Sequence, residues 1–465
     1  MRGVARFLKW LLGLVVLLVV ALAVWLAVAP PALIRVAAGY TAKIVCSNVF
    51  VAGRDPNEVL RVDVQAPGHP ILRLMSVDVD NETGTVSAAL FGWFGGGLAV
   101  ARDNGGCATV PDGNVQMAKT FSLVPPSQGT KPDELWPVGE RVEPSQNPIV
   151  ATILDDEGAT GPGMRAVVVV KDGRVVGERY GTGFSQNTPL LGWSMTKTVN
   201  AALIGTLVQA GRMSMDATGL FGGWKGDARD KISLADLMAM SSGLEFNEDY
   251  GDVTDVTRML YLEPDMAGFA EAKPLAGEVG KVWSYSSGTS VVLSQLWQQA
   301  VGDKAQALAW PRKALFDPLG MPSAILETDA RGTFVGSSYL YATAHDWARF
   351  GQFLVDDGVW NGVPLLPAGF VSWMREPAPA SNGRYGRGQV WLQGPDGGDD
   401  AGDEPETGLD LPADTFWLLG HDGQSMAVIP SRKLVVLRLG LTPSKLGYRP
   451  QAMVAALARA LEQGL

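Results

Sequence analysis

Apolar and polar positions change rhythm several times along this chain. Residues 10 to 29, "WLLGLVVLLVVALAVWLAVA", carry neither a charge nor a polar stripe. A run of about 20 such residues is long enough to cross a bilayer core as a helix, whereas a helix at the surface of a soluble core keeps one polar face. Arg2, Arg6 and Lys9 precede the run, which sets the N-terminus on the cytoplasmic side and the rest of the chain outside. A cleaved signal peptide has a shorter apolar centre, about 7–15 residues. Pro30 and Pro31 also directly follow the small-residue pattern at Ala27 and Ala29. Residues 1–32 therefore read as a cytoplasmic stub and an uncleaved transmembrane anchor.

From 33 to 130 the pattern breaks into short runs: "VFVAG", "LRVDV", "LRLMSVDV" and "TVSAALFGWF", several of them separated by glycine-rich turns. They predict a small, membrane-proximal, β-containing module. "VPPSQGTKPDELWPVGERVEPSQNP", residues 124 to 148, is rich in proline, serine and charge. It reads as a linker, placed at 131–149 between that module and a domain spanning 150–465.

The last domain opens on "MRAVVVVKDGRVVGERYG", two apolar runs around Asp172-Gly173 that predict a β-hairpin. "VNAALIGTLVQAG" then has helical spacing and stops near Gly211, a residue suited to a helix C-terminus. Helical patterns follow in "ISLADLMAM", "GTSVVLSQLWQQAVG" and "TAHDWARFGQFLVDDG". Strand-like runs return in "GRGQVWLQG", "TFWLLG", "QSMAVIP" and "KLVVLRLGL", and the chain ends on the amphipathic "RPQAMVAALARALEQ". Strands at both ends with helices between predict an α/β (α+β) domain. Its one sheet joins N- and C-terminal segments, and a helical part is inserted between them.

Composition changes this picture little. The 465 residues are 46% hydrophobic and 18% charged, with a formal net charge of −10. An acidic sum disfavours nucleic acid or an anionic lipid surface as the main partner. The only two cysteines, Cys46 and Cys107, fall just beyond the span. In an oxidising compartment they pair as one disulfide; as two isolated thiols they are simply buried. Neither their number nor their spacing suits a zinc site.

The candidate chemistry starts at "WSMTK". Ser194 and Lys197 share a helix face, and this is the only serine in the chain with a lysine three residues on. A hydroxyl becomes a useful nucleophile when something takes its proton, and a desolvated lysine does so. Alone the pair is weak, since roughly one chance match is expected in a chain this long. It sits, however, where a helix begins, and the free N–H groups there suit a developing oxyanion. The G-x-S-x-G elbow does not apply, because Thr196 stands where its second glycine belongs.

Two further stretches supply partners. In "KVWSYSSGTS", Tyr285 and Ser287 precede a helical run. A lysine ammonium favours phenolate and burial favours a neutral amine, so Tyr285 and Lys197 held together shift one another. Tyr285 read by itself is equally a core aromatic with a satisfied hydroxyl. In "LLGHDGQSMAV", a strand reading puts His421 and Gly423 on one face. Gly423 then admits a substrate close to the backbone, and the Gln424 N–H is placed as a second oxyanion donor. His421 is a substrate-binding candidate or a histidine with a structural hydrogen bond.

In order, "SMTK", "YSS" and "HDG" resemble the serine β-lactamase and penicillin-binding-protein superfamily. The resemblance is greatest to class C β-lactamase-like esterases, D-aminopeptidases and nylon-oligomer hydrolases. "ISLADLMAMSSGLEFNEDY" and "YATAHDWARFGQFLVDDGVWNG" look like further family segments, so the likeness runs over roughly 145 to 465. It implies a β-lactamase/transpeptidase-like antiparallel sheet flanked by helices. It also implies Ser194 as the acylated nucleophile, Lys197 and Tyr285 in proton transfer, and Ser194 and Gln424 N–H groups as the oxyanion hole. Ser287 stands where the lactamases usually have asparagine, and His421-Asp422-Gly423 where they have lysine-threonine-glycine. A β-lactam carboxylate thereby loses its lysine anchor. The expectation is a membrane-anchored extracytoplasmic serine hydrolase of small esters or amides, without metal or organic cofactor. The alternatives are a cell-wall D,D-carboxypeptidase and a non-catalytic acylated sensor. The acidic stretch at 394–414 reads as a solvated loop, or else as a rim repelling anionic substrates; no fixed ligand register supports calcium there.

Overall fold

The computed structural model describes residues 2–127, 129, 131–145, 147–395 and 409–462. Most of the acidic stretch, 396–408, lies outside the described residues. The chain divides into two compact units. One comprises Met1–Ala101, Cys107–Val115 and Asp249–Pro264; the other comprises Arg102–Gly106, Gln116–Glu248 and Asp265–Leu465.

The first unit begins with α1 (Arg2–Val28), whose apolar stretch Gly3–Val28 has a mean hydropathy of 3.1 and buries nothing against the protein. Pro31 then starts α2 (Ala32–Phe50). Its alanines and unbranched residues are good helix formers, and its close-packed glycine and alanine face accepts neighbouring backbone. A Cβ on Gly39 would stand 2.9 Å from Tyr261 O, and one on Gly97 would stand 2.3 Å from the Ala38 backbone. Strands β1 (Met75–Asp80), β2 (Thr85–Leu90), β3 (Phe94–Arg102) and β4 (Gly106–Thr109) form an antiparallel sheet in that order. Cys46 on α2 and Cys107 on β4 are bonded to each other. The helix Asp255–Leu262 belongs to this unit too: Tyr261 meets Tyr40 edge to face, 5.6 Å between centroids. Thr109 Oγ1 donates to Leu260 O at 3.2 Å.

Two of the short runs read as strands are helical. "VFVAG" is the end of α2 and the turn beyond it, and "LRVDV" lies in a π-helical turn, Leu60–Gln65. Short apolar runs do not by themselves separate strand from helix, and packing decides between them.

The second unit is built on β5 (Met164–Lys171) and β6 (Arg174–Tyr180), joined at Asp172-Gly173, where both residues have positive φ (49° and 73°). That is the geometry a two-residue hairpin needs, and asparagine, aspartate and glycine supply it. Helix α3 (Thr196–Gln209) and α4 (Ser287–Val301) pack through Asn200, which donates to Ser290 O at 2.9 Å and accepts from Trp297 Nε1 at 2.8 Å. After α5 (Ala344–Val355) come β7 (Phe416–Gly420), β8 (Gln424–Ile429), β9 (Leu434–Gly440) and α6 (Gln451–Glu462). The sheet order is β7-β8-β9-β5-β6, all antiparallel. The expected sheet of N- and C-terminal segments with helices inserted between them is the one observed.

Alternation along the strands gives the sheet two apolar faces. Val167, Val169, Ala427 and Val436 pack with Met453, Val454 and Leu457 of α6 and with Leu154. On the other face α5 approaches so closely that a Cβ on Gly351 would lie 2.6 Å from Val435 and 2.8 Å from Met426. "GRGQVWLQG" forms no strand; it makes isolated bridges, Trp391 with Trp417 among them.

The stretch read as a linker is part of this unit. Trp136 is buried and donates from Nε1 to His345 O, while Arg349 on α5 donates to Pro137 O at 2.8 Å and to Gly139 O at 2.6 Å. Proline and charge set its composition, but one tryptophan and one arginine decide its fate.

Candidate active site

Two short pieces of backbone bring Ser194 into position. Leu190–Leu191 pairs antiparallel with Leu340–Ala342, and a 3₁₀ turn, Trp193–Met195, then leads into α3. Trp193 has φ 49°, a conformation costly for a bulky residue. It is held edge-on to His421, 5.5 Å between centroids, and tilted against Tyr339 at 6.2 Å. Strain of this kind persists only where the surroundings over-determine it. Ser194 thus sits in the turn just ahead of the α-helix and still one turn from Lys197.

Lys197 is almost fully buried, 1% exposed. Its Nζ lies 3.1 Å from Ser194 Oγ, 3.0 Å from Ser287 Oγ and 3.0 Å from Ser337 O, and 4.7 Å from the centre of the Tyr285 ring. Burial pushes its pKa down to about 8, although the Glu248 carboxylate pulls it back up. Tyr285 stands among Tyr385 and Trp391, with centroids 5.8 Å and 5.3 Å away. Burial drives its hydroxyl far above the ordinary tyrosine value, Glu248 adds to this, and a hydrogen bond with Ser194 opposes it. The expected lysine-stabilised phenolate is therefore not what this environment favours. Burial thus favours the protonated phenol of Tyr285 and the neutral amine of Lys197.

Sequence reasoning missed Glu248. Ser286 caps α4, its Oγ accepting from the Thr289 N–H at 3.0 Å. The first N–H groups of a helix have no partner within it, and that of Ser287 donates to Glu248 Oε2 at 2.7 Å. Ser287 Oγ donates to Glu248 Oε1 at 2.5 Å. Burial raises the pKa of this carboxyl above the ordinary carboxylate value, although Lys197, both Ser287 bonds and His421 oppose the rise. Nothing local marks Glu248 in "LEFNEDY", which holds three acidic residues; only the meeting of two distant segments singles it out.

The His421-Asp422-Gly423 stretch differs from its strand reading. It is a turn between β7 and β8, in which Asp422 and Gly423 both take positive φ, 56° and 80°, so the extended strand is broken there. His421 is 43% exposed in its side chain. Gly423 faces the sheet: a Cβ there would stand 3.0 Å from Thr442 and 3.1 Å from Arg438, and its carbonyl accepts from Arg438 at 2.9 Å. Gln424 opposes Gly420 in the ladder. Its side chain braces the turn through His421 O at 3.0 Å and Gly440 O at 2.6 Å. Ser194, Lys197, Tyr285, Ser287 and Glu248 thus come together, with the His421 turn beside them through Trp193.

A protein-family model described as Beta-lactamase matches residues 153–456, more than half of the chain. A curated relative, the 6-aminohexanoate-dimer hydrolase of Paenarthrobacter ureafaciens, is 24% identical over 219 residues, 44% of this chain. The match spans 55% of that relative's own length, about half of it. Among solved structures, a Bacillus anthracis protein provisionally named as a 6-aminohexanoate-dimer hydrolase superposes with a TM-score of 0.57 and 22% identity, covering 74% of this chain and 92% of that one. A family VIII carboxylesterase superposes with a TM-score of 0.53 and 14% identity, over 69% and 99%. At these identities both show the fold, which carries the sheet and the helical insertion described above. The match across 153–456 takes in Ser194, Tyr285 and His421, and on it this chain belongs to the Beta-lactamase family.

Proposed function

We propose that this protein is a serine hydrolase that cleaves small esters or amides through an acyl group carried on Ser194. The observation that carries the reading is a buried amine, 3.1 Å from a hydroxyl, with its pKa lowered to about 8. Ser194 Oγ attacks the substrate carbonyl as its proton passes to Lys197. The tetrahedral oxyanion is met by the N–H groups of Ser194 and Gln424. On collapse the leaving group takes the Tyr285 proton, and Tyr285 is reprotonated from Lys197. Water then repeats the attack on the ester, releasing the acid and restoring Ser194. The relative from P. ureafaciens is named for an amide dimer, which supports amides beside esters. His421 in place of a lysine argues against β-lactams.

We also propose that α1 crosses a membrane and leaves the hydrolase on the extracytoplasmic side. Its uncharged length, the basic residues ahead of it and the disulfide beyond it support this.

The test is turnover of p-nitrophenyl butyrate, the linear 6-aminohexanoate dimer, nitrocefin and a D-Ala-D-Ala peptide by wild type and Ser194→Ala. Ester or amide turnover that vanishes in Ser194→Ala is the expected outcome. Turnover of the D-Ala-D-Ala peptide alone would favour a carboxypeptidase, and a stable adduct on Ser194 without turnover would favour a sensor. Activity retained by Ser194→Ala would place the nucleophile elsewhere.

A further inference from the structure

The hydrogen-bond directions around Lys197 follow from which of its neighbours can only accept. Ser337 offers a backbone carbonyl 3.0 Å from Nζ, which has no hydrogen to give. Ser287 Oγ lies 3.0 Å from the same nitrogen, but its single hydrogen is held by Glu248 Oε1 at 2.5 Å. Glu248 cannot turn away, because its other oxygen holds the Ser287 N–H at 2.7 Å. Ser287 Oγ therefore presents only lone pairs to the lysine. A neutral amine has two N–H bonds and one lone pair. Ser337 O takes one N–H and Ser287 Oγ takes the other. The lone pair is left for the third neighbour, Ser194 Oγ, at 3.1 Å.

We propose that Glu248 is a positioning residue for this reaction: by holding the Ser287 hydroxyl hydrogen, it aims the lone pair of Lys197 at the Ser194 O–H. The proposal rests on the reading of Ser194 as nucleophile and Lys197 as base. Glu248 acts through Ser287 and not on the substrate. A carboxylate is required, because it accepts at both oxygens. In Glu248→Gln the amide oxygen still accepts the Ser287 N–H, but the NH₂ then points at Ser287 Oγ. The hydroxyl hydrogen must turn toward Lys197, where it takes the lone pair that Ser194 needs.

The charge of Glu248 has a second effect. The groups facing this network are Lys197 on α3, Tyr285 ahead of α4, Tyr385 from the 375–395 segment and His421 from the β7–β8 turn. Of the causes acting on Lys197, burial favours the neutral amine and the Glu248 charge favours the ammonium. Removing that charge moves the titration of Lys197 to lower pH.

The experiment follows the rate at which a fluorophosphonate labels Ser194 in the full-length protein in detergent micelles, as a function of pH. Ser194→Ala is the blank, and kcat and KM for p-nitrophenyl butyrate are measured alongside. Wild type is expected to label faster as pH rises, levelling above about 8. In Glu248→Gln the plateau is expected to fall about 100-fold, as a misaimed catalytic group typically costs, while the rising limb moves to lower pH. The loss should fall on kcat, with KM little changed, because ground-state binding is untouched. Ser287→Ala should lose the plateau comparably, and the double variant should be no worse, since both act on one unit. If Glu248→Gln does not fold, Ser287→Ala decides the matter alone. Labelling of Glu248→Gln, or failing that of Ser287→Ala, at the wild-type rate overturns the role of Glu248 and leaves Ser194 and Lys197 standing. Absence of label on wild-type Ser194 overturns the underlying reading and this inference with it.

Discussion

Gly420, the last residue of β7, lies flat against the carbonyl of Gly192, two residues before Ser194; a Cβ on Gly420 would stand 2.2 Å from that oxygen. The edge of the sheet and the turn that presents Ser194 are therefore in backbone contact, with no side chain between them to yield. Gly420→Ala is expected to push the two apart. Displacement of a reacting group by about 1 Å typically costs about 100-fold in rate. The check is kcat for p-nitrophenyl butyrate beside a melting curve: lost turnover with a transition still present is the expected pair.

His345 is expected to make stability depend on pH from within the core. Its Nδ1 lies 2.7 Å from Glu140 and its Nε2 2.7 Å from Glu178, and its side chain is fully buried. Burial alone favours the neutral ring, but the two carboxylates outweigh it and raise its pKa from 6.5 to about 9. A group whose pKa is raised on folding stabilises fully below its unfolded value and loses that contribution as pH rises through the folded one. Burial opposes ionisation of Glu140 and Glu178, yet the ring holds both below the usual carboxylate range, so their contribution is lost as pH falls through their folded values. His345→Gln should cost about 3–5 kcal/mol, as breaking a buried ion cluster does. Its deficit in melting temperature should be largest near pH 6 and shrink toward pH 10. A constant deficit across that range would show that the ring carries no charge there.

Cys46 and Cys107 enclose a separation of 61 residues. Closing a loop of that size stabilises by about 4 kcal/mol in the chain-entropy account. Protein isolated without reductant should show no labelled thiol until reduced, and Cys46→Ser/Cys107→Ser should melt at lower temperature. Two thiols free before reduction would remove the argument for an oxidising compartment.

Deletion of residues 2–28 is expected to move the protein from the membrane pellet to the soluble fraction and to leave ester turnover unchanged, since none of those residues enters the site. Continued pelleting in high salt would show a second attachment.

Much was legible because it was local. The Asp172-Gly173 hairpin needs only two residues able to take positive φ. The spacing of Ser194 and Lys197 is fixed by one helical turn, and the absence of any polar position in 10–29 depends on no other part of the chain. The terminal strands showed as short, continuous apolar runs, since both faces of the sheet are covered, and α6 showed in its periodicity, since it buries one face against the sheet.

What the sequence by itself determined, then, are the pieces whose physics closes within a turn of helix or a pair of strands, together with the neighbouring of Ser194 and Lys197. Tertiary structure alone decided that Glu248 faces Ser287, that His345 lies between two glutamates, that Trp136 turns a supposed linker into core, and that His421 sits on a turn. The first three of these depend on a polar or bulky group finding its partner tens to hundreds of residues away. A buried donor or acceptor must be satisfied by whatever group the fold brings within about 3 Å, and periodicity along a chain carries no record of which group that is.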